Sequence, residues 1–318
     1  MRESLNKTFN HFKIHTQYSI CEGAVKIDHL KEFCKKNKVK SLGLSDTFNL
    51  SGALEFSESL SSVGTQPIIG TQMLFKYKNF IGLIPLIAKN SEGYKNIINL
   101  SSNSYLSSSE NTDPHCNFED LLDNSKGIIV LTGSIKCMFG RLFNKGLFDE
   151  IEEILEKLKK KFEDNIYIEI QRHNDVNEKD FENFNLKISE KLDLPIIASN
   201  EIYYLDKNMF EAHDALICIG EKTYVNDTSR IKLTNQHYFK SSEEMIELFK
   251  DLPEALENNF NLPLRCSFKP NPSKPILPNI SSSEKDPNEI LKKISNEGLK
   301  ERFKSVIEPD VKNIDKNE

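Results

Sequence analysis

Residues 41–72 read SLGLSDTFNLSGALEFSESLSSVGTQPIIGTQ and contain a predicted strand, helix and strand in succession. The apolar run at 41–46 predicts the first strand, and the segment 52–64 has helical spacing and ends on a glycine. The run at 65–72 predicts the second strand. Two strands joined by a helix are typical of parallel pairing, so this stretch predicts an α/β fold.

The same alternation continues on both sides of this stretch. Further strands are predicted at 12–15, 80–88, 127–134, 166–173 and 194–201, and further helices at 27–34, 151–162, 180–192, 243–249 and 291–303. Pro85 predicts that the strand at 80–88 is an edge or irregular strand. Strands alternating with helices predict a mainly parallel sheet, either open or closed into a barrel.

Composition excludes several classes of protein. The 318 residues carry a formal net charge of −6, which argues against a strongly basic protein that coats nucleic acid. No run approaches the roughly 18–20 apolar residues of a membrane span, and the first residues lack the apolar core of a secretory signal. The 6 cysteines are scattered without a C-x-x-C pair, which favours neither a zinc ribbon nor a disulfide framework. These features predict a cytoplasmic protein with reduced cysteines.

Polar residues stand where several predicted strands end, which is where reactive groups collect in parallel α/β folds. They are His15, Asp46, Gln72, Ser134, His173 and Glu201. Metal-dependent chemistry on phosphate esters needs a dense set of histidines and carboxylates. Even with Glu22 added, few of these residues can bind a metal ion. The residues alone therefore predict a polar cleft with few metal ligands.

These residues also have non-catalytic interpretations. Asp46 either lines the cleft or caps the helix that follows. Glu201 and His173 are expected to pair with one another or with Lys13 in a buried polar network, in preference to binding a metal. Ser134 has no base beside it in sequence, which argues against a nucleophile. Phosphate-binding glycine loops and D-x-D pairs are missing from the sequence.

Several blocks in the same order resemble the amino-terminal PHP (polymerase and histidinol phosphatase) domain of the bacterial replicative DNA polymerase III alpha subunit. They include FNHFKIHTQYSICEG, LGLSDTFNLSGALEF, PIIGTQ, IYIEIQRHND and PIIASNEIYYLDKNMFEAHDALICI, and they extend roughly from residue 9 to 303. The resemblance implies a distorted seven-stranded β/α barrel at 1–266. It also implies a Pro-rich linker at 267–289 and the truncated start of the polymerase thumb and palm region at 290–318.

The resemblance further implies nine positions that hold up to three metal ions in the family. In this chain they are occupied by Lys13, His15, Glu22, Thr47, Gln72, Leu83, Ser134, Glu201 and Tyr203. His15 keeps the family residue, and Glu22 and Glu201 are conservative replacements. Lys13 places a cation where a cation should bind, which Coulomb repulsion opposes. We therefore expect no metal, no catalytic residue and no cofactor in this domain.

The function implied by the resemblance is that of a DNA-directed DNA polymerase in DNA replication, with this chain as a non-catalytic scaffold. The Mg²⁺-binding palm aspartates are expected beyond residue 318. Expected partners are the proofreading exonuclease, other subunits of the holoenzyme, and DNA through the full-length protein, with no membrane. Three alternatives remain open: a free-standing PHP-family metal-dependent phosphoesterase, an adapter that acts alone at this length, and an error-prone paralogue of the alpha subunit.

Overall fold

A computed structural model describes residues 7–108, 112–275 and 286–307, and it confirms the α/β class. The strands are β1 (His11–Ile14), β2 (Ser41–Thr47), β3 (Gln66–Tyr77), β4 (Phe80–Ala88), β5 (His115–Asn117), β6 (Ile128–Leu131), β7 (Ile166–Ile170), β8 (Ile196–Ala198) and β9 (Glu201–Ile202). The helices are α1 (Ile27–Asn37), α2 (Ala53–Ser61), α3 (Ser91–Ser107), α4 (Phe118–Asp123), α5 (Met138–Asn144), α6 (Phe148–Phe162), α7 (Glu178–Leu192), α8 (Phe210–Glu221), α9 (Ser242–Leu248), α10 (Pro253–Arg265) and α11 (Pro287–Arg302).

The strands form one sheet in the order β8-β7-β6-β4-β3-β2-β1-β9, with β5 paired to β3. Most neighbours are parallel, and β4 runs antiparallel to both β3 and β6. The family resemblance implies seven strands, whereas the described residues form nine. Two of the nine, β5 and β9, are short, with 3 and 2 residues.

The expectation of an edge strand at Pro85 is wrong, because β4 lies inside the sheet. Pro85 pairs with Gln72 of β3, and the pairing with β6 begins at the next residue, Leu86. The missing N–H of the proline therefore removes no rung of the ladder between β4 and β6.

The sheet curls so that strands far apart in its order share one apolar interior. Phe12 of β1, Tyr167 of β7 and Ile197 of β8 belong to a single buried cluster, which Leu262 of α10 completes. The end of α10 lies at the start of the parallel strands, because the Gln66 side chain donates to the carbonyl of Pro263 (3.0 Å). Helix α10 therefore fills the amino-terminal end of the curled sheet, and the carboxyl end is left for polar groups.

Asn259 of α10 joins β8 to the start of β1, two strands that are not neighbours in the sheet. Its side chain accepts a hydrogen bond from the backbone N–H of Asn10 (2.8 Å) and donates to the carbonyls of Asn10 (2.8 Å) and Ala198 (3.0 Å). The residue is fully buried. One side chain thus supplies hydrogen bonds between two strands that do not pair with each other in the described sheet.

The helix predicted at 151–162 is confirmed as α6, and its apolar stripe lies in the core. Ile151, Ile154, Leu155, Leu158 and Phe162 are all buried. The acidic first turn and the lysines of the last turn complement the helix dipole. Over the described residues, no helix combines the length and the apolar character needed to cross a membrane.

The chain divides into two compact units, Met1–Asn271 and Pro272–Glu318. Residues 267 and 270 pack within the first unit, since Ser267 donates to the Lys89 carbonyl and Ser57 to that of Pro270. Helix α11 lies in the second unit and begins at Pro287, inside the predicted linker. Residues 276–285 of that linker and 308–318 of the predicted polymerase region lie outside the described residues. The domain boundaries stay a prediction.

Candidate functional site

A buried ion-pair cluster occupies the carboxyl end of the sheet. The register of β1 and β9 sets Lys13 directly opposite Glu201, and Lys13 Nζ lies 3.1 Å from Glu201 Oε1. The same ammonium lies 3.5 Å from Glu169 Oε1 on β7. All three side chains are at most 5% exposed. The lysine therefore links strands from both sides of the curled sheet.

The two charged partners stabilise one another's ionised form. Burial by itself lowers the pKa of Lys13, but Glu169 and Glu201 outweigh it and raise that pKa above its ordinary value. Burial by itself raises the pKa of Glu201, but Lys13 and then His15 lower it well below the ordinary value. Lys13 and Glu201 are thus both charged at neutral pH.

His15 lies beside this cluster and is fully buried. Its Nε2 atom is 3.1 Å from Glu201 Oε1 and 3.0 Å from Gln72 Nε2. Gln72 also donates a hydrogen bond to Glu201 Oε1. The imidazole stacks on the Tyr203 ring with 4.3 Å between ring centroids. The Glu201 oxygen therefore faces the ammonium, the amide and the imidazole together.

Glu22 and Thr47 form the outer rim of the site. Thr47 Oγ1 donates to Glu22 Oε2 (2.5 Å), and the same carboxylate oxygen lies 3.9 Å from His15 Nδ1. The Glu22 side chain is 34% exposed, so the rim is open to solvent while His15 below it is not.

Asp46 is buried and holds the loop that follows β1. Its two oxygens accept from the backbone N–H (2.7 Å) and hydroxyl (2.8 Å) of Thr16, and from the hydroxyl of Ser19 (2.7 Å). It does not cap the next helix, because the N-terminal cap of α2 is Gly52. Its carboxylate is thus committed to positioning the loop.

Within the described residues, Leu83 and Ser134 make no hydrogen bond or ion pair with His15 or Glu201. Leu83 lines a groove above the site together with Glu22, Thr47 and Tyr203. Ser134 Oγ lies 3.6 Å from Cys137 Sγ, and that sulfur lies 3.8 Å from Gln72 Oε1. Burial raises the pKa of Cys137 to about 11, so its thiol is neutral.

His173 belongs to a neighbouring group of polar residues. Its Nε2 atom lies 2.9 Å from Asn200 Oδ1, and its ring stacks on His237 with 4.1 Å between centroids. Its contact with the ion-pair cluster is to the backbone of Glu201, whose N–H lies 3.3 Å from His173 Nε2. The structure therefore brings Lys13, Gln72 and Glu201 together with His15 and sets His173 to one side.

Sequence reasoning missed Glu169 and His237. Glu169 is a charged residue inside the apolar strand IYIEI, and that contrast could have marked it as an inward-facing partner for a cation. His237 lies in an irregular segment without periodicity, so no sequence pattern pointed to it.

Comparison with known proteins identifies the family to which the chain is similar. The family model described as "PHP domain" matches residues 11–173. Proteins named DNA polymerase III subunit alpha are similar over nearly the whole chain. The one from Caulobacter vibrioides is 32% identical over 320 residues, covering 96% of this chain and 28% of that protein. The one from Borreliella burgdorferi is 35% identical over 319 residues, covering 95% of this chain and 28% of that protein.

A third alpha subunit, from Rickettsia conorii, is 35% identical over 300 residues, which are 93% of this chain and 25% of that protein. The chain thus spans little more than a quarter of these relatives. A solved structure described as a metal-dependent phosphoesterase, from Bifidobacterium adolescentis, covers 60% of this chain and 86% of that one. Its sequence identity is 13% and the TM-score is 0.42.

Proposed function

This chain belongs to the PHP-domain family, in the form found in DNA polymerase III alpha subunits, and we propose that its polar cleft is a non-catalytic scaffold. The observation that carries the proposal is the position of Lys13. Its ammonium lies 3.1 Å from Glu201 and 3.5 Å from Glu169, at the family's metal-binding end of the sheet. The lysine ammonium thus takes the place of a bound metal ion.

The donor set around Glu201 does not fit the family's metal cluster. Glu201 Oε1 faces an ammonium and the Gln72 amide nitrogen, neither of which has a free lone pair with which to bind a metal. A divalent ion about 4 Å from Lys13 would be repelled by about 8 kcal/mol at an effective dielectric constant of ~20. No step of a metal-dependent reaction follows from this arrangement.

The polymerase context rests on the relatives. Their shared name supports DNA-directed DNA polymerase activity, and hence a role in DNA replication, for a full-length protein of which this chain is one part. In that protein Mg²⁺ would act at a palm outside residues 1–318. The cytoplasm is the compartment that this role requires. DNA and the other holoenzyme subunits would be contacted through the full-length protein.

The groove above the cleft supports a docking role for this domain. It has a volume of about 560 Å³, and apolar side chains are exposed along it: Ile20 (84%), Ile231 (60%) and Tyr105 (54%). Exposed apolar groups around one groove are typical of protein interfaces. We assign this surface to the proofreading exonuclease, the partner expected from the family resemblance.

The test is binding of the 318-residue chain to the proofreading exonuclease of the same source organism, measured by calorimetry. The double substitution Ile20→Glu, Ile231→Glu is expected to weaken binding by at least tenfold, because two charges would be buried at the interface. The control Leu264→Glu changes a residue that is 83% exposed on α10 and lies outside the groove. Equal binding by both variants would rule out this surface. Absence of binding by the unsubstituted chain would rule out the docking role.

A further inference from the structure

Three residues outside the family's nine metal positions form a compact group of potential ligands. Within the described ranges, His173, Asp175 and His237 each offer one ligand atom, and these atoms lie within 4.8 Å of one another. His173 and Asp175 follow β7, and His237 precedes the bridge between Tyr238 and Tyr204. The two histidines are buried and Asp175 is partly buried.

The tautomer of His237 leaves one nitrogen with a free lone pair. Its Nδ1 atom lies 3.2 Å from the backbone carbonyl of Glu201, which can only accept a hydrogen bond, so Nδ1 carries the proton. The other nitrogen, Nε2, is buried and has no hydrogen-bond partner in the described part of the chain. An imidazole held by a carbonyl on one nitrogen and free on the other is the usual state of a metal-binding histidine.

His173 is held in the same way by Asn200. The Asn200 amide group donates to the Tyr238 carbonyl (3.0 Å), which turns its oxygen toward His173. That oxygen lies 2.9 Å from His173 Nε2, whereas the backbone N–H of Glu201 lies 3.3 Å from the same nitrogen. The shorter contact sets the tautomer, so Nε2 carries the proton and donates it to Asn200. His173 Nδ1 is then the lone-pair nitrogen, and among the residues that the structure describes it too is buried without a hydrogen-bond partner. The nearest carboxylate, Glu178, is 3.9 Å away and accepts from the backbone N–H of His173.

Both imidazoles are neutral at neutral pH, which is the form that binds metals. Burial lowers the pKa of His237 to about 3 and that of His173 well below its ordinary value. Two buried nitrogens without hydrogen-bond partners lower the stability of the fold. A ligand that binds both nitrogens would offset this loss.

We propose that His173, Asp175 and His237 bind one divalent transition-metal ion of the Zn²⁺ class. Two imidazole nitrogens and one carboxylate oxygen suit Zn²⁺ and Co²⁺, with a fourth position open to water. Tetrahedral ligands at metal–nitrogen distances of 2.0–2.1 Å stand about 3.3 Å apart, so the three side chains must move closer together to hold the ion. The ion would tie the segment after β7 to the segment that contains His237.

Lys136 competes with the ion for Asp175. Its Nζ atom lies 2.7 Å from Asp175 Oδ1, and its side chain is 40% exposed, so it can turn into solvent. Binding of the metal therefore requires this ion pair to open. Removal of the lysine charge by Lys136→Gln should strengthen metal binding.

The test uses the 318-residue chain, stripped with a chelator and dialysed against Zn²⁺, with bound metal measured by mass spectrometry. Co²⁺ absorption in the visible range reports the coordination. We expect one ion per chain, with affinity at least about tenfold lower in Asp175→Asn and His237→Gln. Lys136→Gln should bind more tightly. Circular dichroism spectra and urea midpoints of the stripped variants control for folding, and Asp175→Asn, at the rim, is the variant least able to disturb it.

Glu201→Gln separates this inference from the proposed scaffold function. Retention of the ion in Glu201→Gln, with loss in His237→Gln and Asp175→Asn, supports the new site and leaves the scaffold proposal intact. Loss in Glu201→Gln alone would overturn both, because the metal would then occupy the family's cleft. No uptake of Zn²⁺ or Co²⁺ by the folded chain, or uptake unchanged in Asp175→Asn, would overturn the inference alone.

Discussion

At the scale of single residues, Lys13 is the side chain on which the cleft depends. It is 1% exposed and balances two buried carboxylates on β7 and β9. Among the described residues Lys13 Nζ has no hydrogen-bond partner, so its stabilising effect is mainly ionic. Such a cation is expensive to remove because its partners stay behind unpaired.

Lys13→Met is therefore expected to lower the free energy of unfolding by about 3–5 kcal/mol, measured by urea denaturation at pH 7. The double variant Lys13→Met, Glu201→Gln removes one of the stranded charges and should be more stable than the sum of the single effects. Lys7→Met, at a surface ion pair, serves as the control and should leave the urea midpoint unchanged. A Lys13→Met midpoint equal to that of the control would contradict the ionic role.

His11 gives a second prediction, through pH. Its ring packs against Phe239 and its Nε2–H donates to the Lys240 carbonyl (3.0 Å). Burial lowers its pKa to about 3, against 6.5 for the free side chain. Because the unfolded chain takes up this proton first, the contribution of His11 to stability is present above pH 6.5 and is lost as pH falls toward 3.

Between about pH 4 and 6, the free energy of unfolding of the unsubstituted chain should therefore rise more steeply with pH than that of His11→Gln. The expected difference between the two slopes is roughly 1.4 kcal/mol per pH unit. Urea denaturation at half-unit pH intervals measures that slope. Identical slopes for the variant and the unsubstituted chain would show that His11 titrates normally in the fold.

At the scale of elements, α10 determines how the curled sheet is held together. Asn259→Ala removes one side chain and leaves the Asn10 N–H and the Asn10 and Ala198 carbonyls without their partner. The expected loss of stability is about 2–4 kcal/mol, since unsatisfied buried groups cost roughly 1–3 kcal/mol each and part of the loss is relieved by relaxation. Asn261→Ala, an exposed position on the same helix, is the matched control and should change stability by less than about 0.5 kcal/mol. Equal urea midpoints for the two variants would show that α10 does not join β8 to β1.

Several elements could be predicted from the sequence and others could not. The stripe of α6 and the strands around residues 41–72 follow from local spacing alone. Helix α10 has no such signal, because the fully buried Asn259 interrupts its apolar face. Its function depends on strands about 60 and 250 residues away, which local periodicity cannot report. The position of β4 inside the sheet likewise depends on which strands it pairs with, and local sequence spacing does not report this.

The cleft shows the same division between local and long-range information. Polar residues at strand ends identified His15, Gln72 and Glu201, and the family resemblance singled out Lys13. The partnership of Lys13 with Glu169 depends on the curl of the sheet, so only the structure reveals it.

At the scale of the whole molecule, side chains join separated strands at both ends of the curled sheet. Asn259 links β1 to β8 at one end, and Lys13 links β1 to β7 and β9 at the other. Catalysis by a metal cluster needs ligands with free lone pairs, whereas a scaffold needs rigid internal links. The polar groups of this cleft are arranged as links, which supports the proposed scaffold role.

The most direct measurement is phosphodiester and phosphomonoester hydrolysis by the 318-residue chain with Mn²⁺ or Zn²⁺ supplied. Single-stranded DNA and p-nitrophenyl phosphate serve as substrates, and Glu201→Gln serves as the comparison. The predicted result is no turnover above buffer for either protein. Metal-dependent turnover by the unsubstituted chain that Glu201→Gln abolishes would show that the cleft is a phosphoesterase site and contradict the scaffold role.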